Sequence, residues 1–283
     1  MEIRTVLVAG AGQMGNGIAQ VSAQAGYRVV MTDIAQEFID RGLASIEKNL
    51  ARAVDKGRLA IEDRDAALAR ITTALTFEAG KDADLFIEAA PESLDVKRDV
   101  FGKATAALGA ETIIASNTSS LSITQLAATA GCPERFVGIH FFNPVPAMAL
   151  VEVVSGLETA PETAAAARAF VESLGKVPVM ANDSPGFVVN RILFPMINEA
   201  IYVLQEGVAG ADDIDAAMKA GANHPMGPLA LADLVGLDTT LAVLEVLHRD
   251  LGDPKYRPCP LLRRYVSAGR LGRKSGAGFY SYG

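Results

Sequence analysis

The sequence predicts an α/β protein in two parts: an N-terminal domain built on a parallel β-sheet and an all-α C-terminal domain. Two observations support this prediction. Short apolar runs alternate with helical stretches through the first part of the chain, as they do in parallel βαβ units. After residue 183, apolar residues recur every three to four positions, which is typical of helices. We therefore place the domain boundary between residues 183 and 184, giving domains 1–183 and 184–283.

The composition is that of a globular protein. The chain has 283 residues, 50% of them hydrophobic, which fits about two domains with a substantial core. Its net charge of −7 argues against nucleic acid as the main partner. We expect no signal segment and no membrane span, and the spacing of Cys132 and Cys259 suggests neither a disulfide framework nor a zinc site. These features predict a reduced, cytoplasmic setting.

The strands of the first domain are predicted from apolar runs of strand length. They cover Thr5–Ala9, Tyr27–Asp33, Leu85–Glu88, Thr112–Ser116, Phe136–His140, Ala149–Val154 and Val177–Met180, with a helix over Glu162–Leu174.

The second domain is predicted to open with a helix at the boundary. Ser184 is a suitable N-cap and Pro185 suits the first helical position. Apolar side chains from Leu193 to Leu204 continue a helical stripe. Pro195 lies inside that stripe, so we expect a bend there.

A glycine-rich segment, Gly10-Ala11-Gly12-Gln13-Met14-Gly15, follows the first strand directly and opens a helical stretch. Gly10 permits the tight turn, Gly12 lets a pyrophosphate approach the backbone, and Gly15 allows close helix–strand packing. The helix N-terminus can bind phosphates through its N–H groups and dipole. Asp33, at the end of the second strand, can bind a ribose 2′-hydroxyl. In this context the segment predicts a Rossmann-type domain that binds NAD, rather than a glycine turn in an unrelated α/β protein.

Three further segments stand out: Ser116-Asn117-Thr118-Ser119-Ser120, His140-Phe141-Phe142-Asn143-Pro144 and Gly186-Phe187-Val188-Val189-Asn190-Arg191. Together with Glu152, they resemble the signature of the 3-hydroxyacyl-CoA dehydrogenase family, most closely its bacterial 3-hydroxybutyryl-CoA branch. The resemblance extends from the glycine-rich segment to Gly272–Tyr280. It implies an NAD-dependent oxidoreductase that interconverts (S)-3-hydroxyacyl-CoA and 3-oxoacyl-CoA.

By this resemblance, His140, Glu152, Ser119 and Asn190 form the catalytic group. Oxidation of a secondary alcohol requires removal of the hydroxyl proton, and histidine exchanges protons near neutral pH. Glu152 can orient the imidazole and stabilise its charged form, while Ser119 and Asn190 can donate hydrogen bonds to the substrate oxygen. The alternative for His140 is a core histidine whose hydrogen bonds are satisfied within the fold.

The resemblance also places five residues around the cofactor: Glu92, Lys97, Asn117, Asn143 and Lys274. Glu92 and Lys97 are alternatively a helix-start acid and a solvated lysine, and the two asparagines are alternatively loop-capping amides.

A basic stripe is predicted on the helix after Asp33, because Lys48, Arg52 and Lys56 recur at four-residue intervals. Such a stripe is either a solvated face or a binding site for the phosphates of CoA. Lys56 best matches the family's CoA contact, so the predicted partner is an acyl-CoA substrate.

Two rival functions remain at this point. One is a sugar-acid dehydrogenase of the L-gulonate type, and the basic stripe favours acyl-CoA over it. The other is a non-catalytic NAD-binding or crystallin-like protein, against which the intact catalytic group argues. The helical domain is too short for a well-buried core of its own, so we expect a homodimer formed through it.

Overall fold

The computed structural model describes residues 2–283 as two compact units, one ending at Ser184 and the other running from Pro185 to Gly283. The first unit combines a β-sheet with helices, and the second unit contains helices and short irregular segments. The predicted fold class, an α/β domain followed by an all-α domain, is therefore confirmed.

The first unit has eight strands and six α-helices among its described residues. The strands are β1 (Thr5–Ala9), β2 (Arg28–Thr32), β3 (Ile71–Ala74), β4 (Leu85–Glu88), β5 (Ile113–Ser116), β6 (Phe136–Phe141), β7 (Leu150–Ser155) and β8 (Val177–Asn182). The helices are α1 (Gln13–Gln24), α2 (Gln36–Asp55), α3 (Ile61–Ala69), α4 (Leu94–Ala107), α5 (Ile123–Ala130) and α6 (Pro161–Ser173).

All eight strands form one sheet in the order β3-β2-β1-β4-β5-β6-β7-β8. The strands from β3 to β6 run parallel to one another, whereas β7 pairs antiparallel with β6 and parallel with β8. The sheet is therefore parallel, as predicted, except for this one antiparallel pairing. Strands β6 and β7 pair antiparallel because the connection between them, residues 142–149, holds no helix and is shorter than a parallel crossover requires.

The seven predicted strands are all present, with ends that differ by at most two residues from those predicted. Strand β3, which pairs with β2 at the outer edge of the sheet, was not predicted from the sequence. Its two threonines, Thr72 and Thr73, are exposed, and its two flanking apolar residues are only half buried. An edge strand of this kind has no continuous apolar run, which is the pattern from which the other strands were predicted.

The interior strands carry the core of the first unit. Every residue of β1, β4 and β5 is buried, and helices cover both faces of the sheet. On one side, Phe86, Phe101 and Phe136 pack edge to face. Each fully buried side chain of this size contributes about 1.5–3 kcal/mol through removal from water. The sheet is therefore a rigid support for the loops at its carboxyl edge.

The second unit has five helices among its described residues: α7 (Val189–Gln205), α8 (Ala211–Gly221), α9 (Pro228–Val235), α10 (Leu237–Leu251) and α11 (Pro260–Ser267). Its own apolar core includes Ile197, Ile201, Leu229 and Leu244. Pro195 lies inside α7, as predicted. Within residues 2–283, no helix has the length and apolar content needed to cross a membrane.

The predicted helix start at Ser184 and Pro185 was wrong, because α7 begins at Val189. Gly186 and Phe187 have φ angles of 76° and 47°, which belong to the left-handed region. A right-handed helix cannot pass through such residues, so the segment forms a turn before α7. Capping preferences alone did not reveal this backbone conformation.

Candidate active site

The glycine-rich segment forms one wall of a cleft of about 1370 Å³ in the first unit. Gly10 has a φ angle of 106°, and a Cβ there would meet the carbonyl oxygen of Ala89 at 2.6 Å. A Cβ at Gly15 would lie 1.7 Å from the carbonyl oxygen of Gly10. Helix α1 can therefore begin directly against the turn only because both positions are glycine.

Gly12 differs from its two neighbouring glycines, because a Cβ there would meet nothing within 4 Å. It is the N-cap of α1 and lacks a side-chain cap, and Gln13 and Met14 continue the wall of the cleft. The open space beside Gly12 and the first N–H groups of α1 suit a pyrophosphate. These residues fit an NAD cofactor.

Asp33 follows β2 and lines the same cleft. Its carboxylate accepts hydrogen bonds from the backbone N–H groups of Ala11 and Ile34, both at 2.7 Å. The structure also places Arg41 in the lining, where its guanidinium lies over the ring of Phe38. Arg41 was not predicted from the sequence, because none of the residues directly after Asp33 is a cation. It lies in the second turn of α2.

His140 and Glu152 form a buried pair. They are directly opposite each other in the antiparallel pairing of β6 with β7, so their side chains lie on the same face of the sheet. His140 Nδ1 and Glu152 Oε2 are 2.7 Å apart, and the two side chains are 7% and 0% exposed. A carboxylate at this distance fixes the imidazole tautomer, with Nδ1 carrying a proton for the hydrogen bond.

Ser119 lies in the loop after β5, which we call the serine loop (residues 117–120). Glu92 holds this loop, because its Oε1 accepts hydrogen bonds from the Thr118 hydroxyl at 2.6 Å and from the Ser119 and Ser120 N–H groups at 2.9 and 3.0 Å. Burial would raise the pKa of Glu92, but the Lys97 ammonium and these hydrogen bonds hold it below its ordinary value. Glu92 is thus a stable anionic anchor for the serine loop.

Lys97 is 1% exposed, so the alternative of a solvated lysine was wrong. Its ammonium pairs with Glu92 and also with Glu88, a fully buried carboxylate at the end of β4. Glu88 was not predicted as a site residue from the sequence. The only signal for it is an acidic residue directly after the apolar run Leu85–Ile87.

The two predicted asparagines have different surroundings. Asn117 Oδ1 accepts a hydrogen bond from the Phe141 N–H at 2.9 Å, which links the end of β5 to the end of β6. Asn117 therefore acts as a loop-linking amide, whatever its role toward a ligand. Asn143 is exposed and lines the cleft beside Pro144.

The two predicted residues of the second unit are Asn190 and Lys274. Asn190 is buried in the first turn of α7. Lys274 lies in a short 3₁₀ turn and donates to Asp238 Oδ2 at 2.7 Å. Burial opposes the charge of Asp238, but the hydrogen bond from Lys274 holds the pKa of Asp238 below its ordinary value.

The basic stripe lies on α2 and at its end. Lys48 and Arg52 are exposed on the helix, and Lys56 is its exposed C-cap residue. The adjacent face of α2 contributes Ser45 and Asn49 to the cleft lining. The stripe therefore flanks the cleft and has access to solvent.

Two family models match the chain. The model of the 3-hydroxyacyl-CoA dehydrogenase NAD binding domain matches residues 5–184, and that of the C-terminal domain of the same enzymes matches residues 186–282. Together they account for both units.

Proteins similar to this chain over nearly their full length are named as 3-hydroxybutyryl-CoA dehydrogenases. A probable 3-hydroxybutyryl-CoA dehydrogenase of Bacillus subtilis is 54% identical, with 100% of this chain and 98% of that protein covered. A 3-hydroxybutyryl-CoA dehydrogenase of Bradyrhizobium diazoefficiens is 55% identical, with 99% and 96% covered. The crystal structure of (S)-3-hydroxybutyryl-CoA dehydrogenase from Ralstonia eutropha has a TM-score of 0.98 and 52% identity, with 100% of both chains covered.

These matches favour neither the sugar-acid dehydrogenase nor the non-catalytic protein. The glycine-rich cleft and the histidine–glutamate pair lie in the unit that matches the NAD binding domain. The chain therefore belongs to the 3-hydroxyacyl-CoA dehydrogenase family and is an NAD-dependent dehydrogenase.

Proposed function

We propose that this chain interconverts (S)-3-hydroxybutyryl-CoA and acetoacetyl-CoA. The observation on which the proposal depends is the buried pair of His140 and Glu152, 2.7 Å apart at the carboxyl edge of the sheet. Rossmann-type domains bind their ligands at this edge. The four-carbon substrate is proposed because the Bacillus and Bradyrhizobium relatives carry the 3-hydroxybutyryl-CoA name.

In the proposed mechanism, His140 moves the proton of the substrate hydroxyl. Nδ1 is engaged by Glu152, so Nε2 is the ring nitrogen that takes the proton during oxidation and returns it during reduction. Glu152 stabilises the imidazolium formed in between. Bound NAD supplies the two-electron acceptor.

Ser119 is proposed to hold the substrate oxygen by donating a hydrogen bond as negative charge develops. Its loop is fixed by Glu92, which suits a donor that must be positioned before the reaction. The same role for Asn190 stays a prediction from the family resemblance, as do the cofactor contacts of Glu92, Lys97, Asn117, Asn143 and Lys274.

The proposed function is tested by following NADH oxidation with acetoacetyl-CoA, with 3-dehydro-L-gulonate as the competing substrate. We expect turnover with acetoacetyl-CoA and little with the sugar acid. Turnover with the sugar acid alone would show that the substrate class is wrong. Longer 3-oxoacyl-CoA substrates, compared by kcat/KM, test the four-carbon preference.

We predict that NADH is preferred over NADPH by at least about a hundredfold in kcat/KM, because juxtaposed like charges cost several kcal/mol. Asp33 would repel a 2′-phosphate, and Glu37 lies 3.5 Å from the Arg41 guanidinium and offsets its charge. Asp33→Ser should narrow the preference for NADH, since it removes the repelling carboxylate while Arg41 stays in the cleft lining. Equal use of the two cofactors by the wild-type protein would contradict the prediction.

We predict that Lys56→Ala raises KM for acetoacetyl-CoA about threefold at low salt, the usual worth of a partly exposed charge pair. The effect should fade with added salt, because screening weakens exposed pairs. Lys81→Ala, which removes another exposed lysine, is the matched control and should change nothing. If Lys56→Ala behaves like Lys81→Ala, the basic stripe is a solvated face.

We also propose a cytoplasmic homodimer formed through the second unit. Ile192 and Val208 are 66% and 71% exposed in that unit, and apolar side chains of this size gain stability when a partner covers them. Sedimentation at micromolar concentration should give a dimer. A monomer under those conditions would rule the proposal out.

A further inference from the structure

A buried ion network links the end of β4 to the serine loop. It consists of Glu88, Lys97, Glu92 and Ser116. We propose that Glu88 and Lys97 are positioning residues that hold the serine loop in its reactive geometry through Glu92 and Ser116. This inference rests on the proposed function, because it assigns the loop a task in holding the substrate oxygen.

Glu88 has no exposed surface and uses both carboxylate oxygens. Its Oε1 accepts from the Lys97 ammonium at 2.6 Å and from the Ala90 N–H at 2.7 Å. Its Oε2 accepts from the Ser116 hydroxyl at 2.5 Å. The Ser116 oxygen in turn accepts from the Thr118 N–H at 3.2 Å. Glu88 therefore reaches the serine loop by a first route, through Ser116.

The second route runs through Lys97. Its Nζ contacts Glu88 Oε1 at 2.6 Å, Glu92 Oε2 at 3.2 Å and the carbonyl oxygen of Ala90 at 3.3 Å. The contacts with Glu88 and Ala90 are hydrogen bonds, and the contact with Glu92 is an ion pair. The Lys97 side chain is 1% exposed, so these contacts hold it in a fixed position beside Glu92. We therefore assign it an action on Glu92.

Glu92 completes the route. One of its oxygens faces Lys97, and the other accepts hydrogen bonds from Thr118, Ser119 and Ser120. Lys97 thus lies between two carboxylates, Glu88 at the end of a core strand and Glu92, which binds the serine loop. In a low-dielectric interior such contacts are strong and directional, so a change at Glu88 is transmitted to the loop.

The test compares Glu88→Gln and Lys97→Met with the wild-type protein. Glu88→Gln keeps the shape but removes the charge that holds Lys97, and we expect kcat/KM for acetoacetyl-CoA to fall about tenfold, the worth of one charge-assisted hydrogen bond. Lys97→Met leaves two carboxylates without their shared cation, and we expect a fall of about a hundredfold. The dissociation constant of NADH, measured by fluorescence titration, should change little in Glu88→Gln, because Glu88 has no exposed surface.

A matched control, Thr112→Val, distinguishes a positioning role from a merely structural one. Thr112 is buried directly before β5, and its hydroxyl donates to the carbonyl oxygen of Ala83 at 2.8 Å, at the strand end opposite Ser116. This variant should melt earlier but keep the wild-type kcat/KM. If Glu88→Gln likewise changes only the melting temperature, the positioning role is wrong. If Lys97→Met weakens NADH binding while kcat is kept, Lys97 contacts the cofactor directly and the inference is overturned.

A second readout does not depend on activity. Amide hydrogen exchange in a peptide covering residues 116–122 should be faster in Glu88→Gln and Lys97→Met than in the wild-type protein, and unchanged in Thr112→Val. Unchanged exchange in the first two variants would contradict the inference. A wild-type protein that does not reduce acetoacetyl-CoA would instead contradict the proposed function, so the two failures are distinguishable.

Discussion

Glu152→Gln is expected to lower kcat for the reduction of acetoacetyl-CoA by about a hundredfold, the usual contribution of a positioned acid–base group. Glutamine preserves the size of the side chain but removes the charge that stabilises the imidazolium of His140. Glu152 is fully buried, so no solvent ion can replace that charge. Single-turnover measurements of NADH oxidation report the loss directly.

His140→Ala should be at least as damaging, and the double variant little worse than the worse single variant, because the two residues act as one unit. The affinity for NADH should survive in all three proteins, since the glycine-rich segment and Asp33 lie elsewhere in the unit. Near-normal turnover in Glu152→Gln would show that the pair is structural. Strictly additive losses would show that the two residues act independently.

Gly15→Ala is expected to destabilise the first unit severely. The added Cβ would lie 1.7 Å from the Gly10 carbonyl oxygen, which belongs to the backbone and cannot rotate away. Overpacking of this kind costs about 3 kcal/mol or more, which corresponds to a melting temperature lowered by about 10 °C. Thermal unfolding followed by circular dichroism measures the change, and a melting temperature within about 2 °C of wild type would contradict it.

Gly12→Ala is the matched comparison, and its expected result is the opposite. Gly12 has a φ angle of −64°, which alanine adopts readily, and its Cβ would meet nothing within 4 Å. The variant should fold as well as the wild type but bind NADH at least about tenfold more weakly, because the methyl group fills the space proposed for the pyrophosphate. Unchanged NADH affinity would show that the cofactor does not approach this residue.

The parts of the fold that follow local rules could be predicted from the sequence. The buried strands are continuous apolar runs, and the turn at Gly10 and the packing at Gly15 depend on glycine alone. The family resemblance supplied His140 and Glu152, and the structure places them in contact. Their roles in the reaction stay predictions.

Other features depend on contacts that no local pattern records. Strand β3 is half exposed, so its residues lack an apolar run. In the sequence, Glu88 is only an acidic residue at the end of a strand. Its pairing with Lys97, nine positions further along the chain on α4, is visible only in the folded structure. The turn at Gly186 and Phe187 was taken for a helix start because capping preferences do not specify the sign of φ.

The antiparallel pairing of β6 with β7 also determines where the chain tolerates changes of length. His140 faces Glu152 only because the two strands pair in one register, and a shift by a single residue would send one side chain to the opposite face. Residues can therefore be added or deleted within 142–149 while the pair stays intact, whereas a deletion inside either strand separates it. The connection borders the cleft through residues 143–146, so a change of its length would alter the cleft wall without shifting the register of the pair.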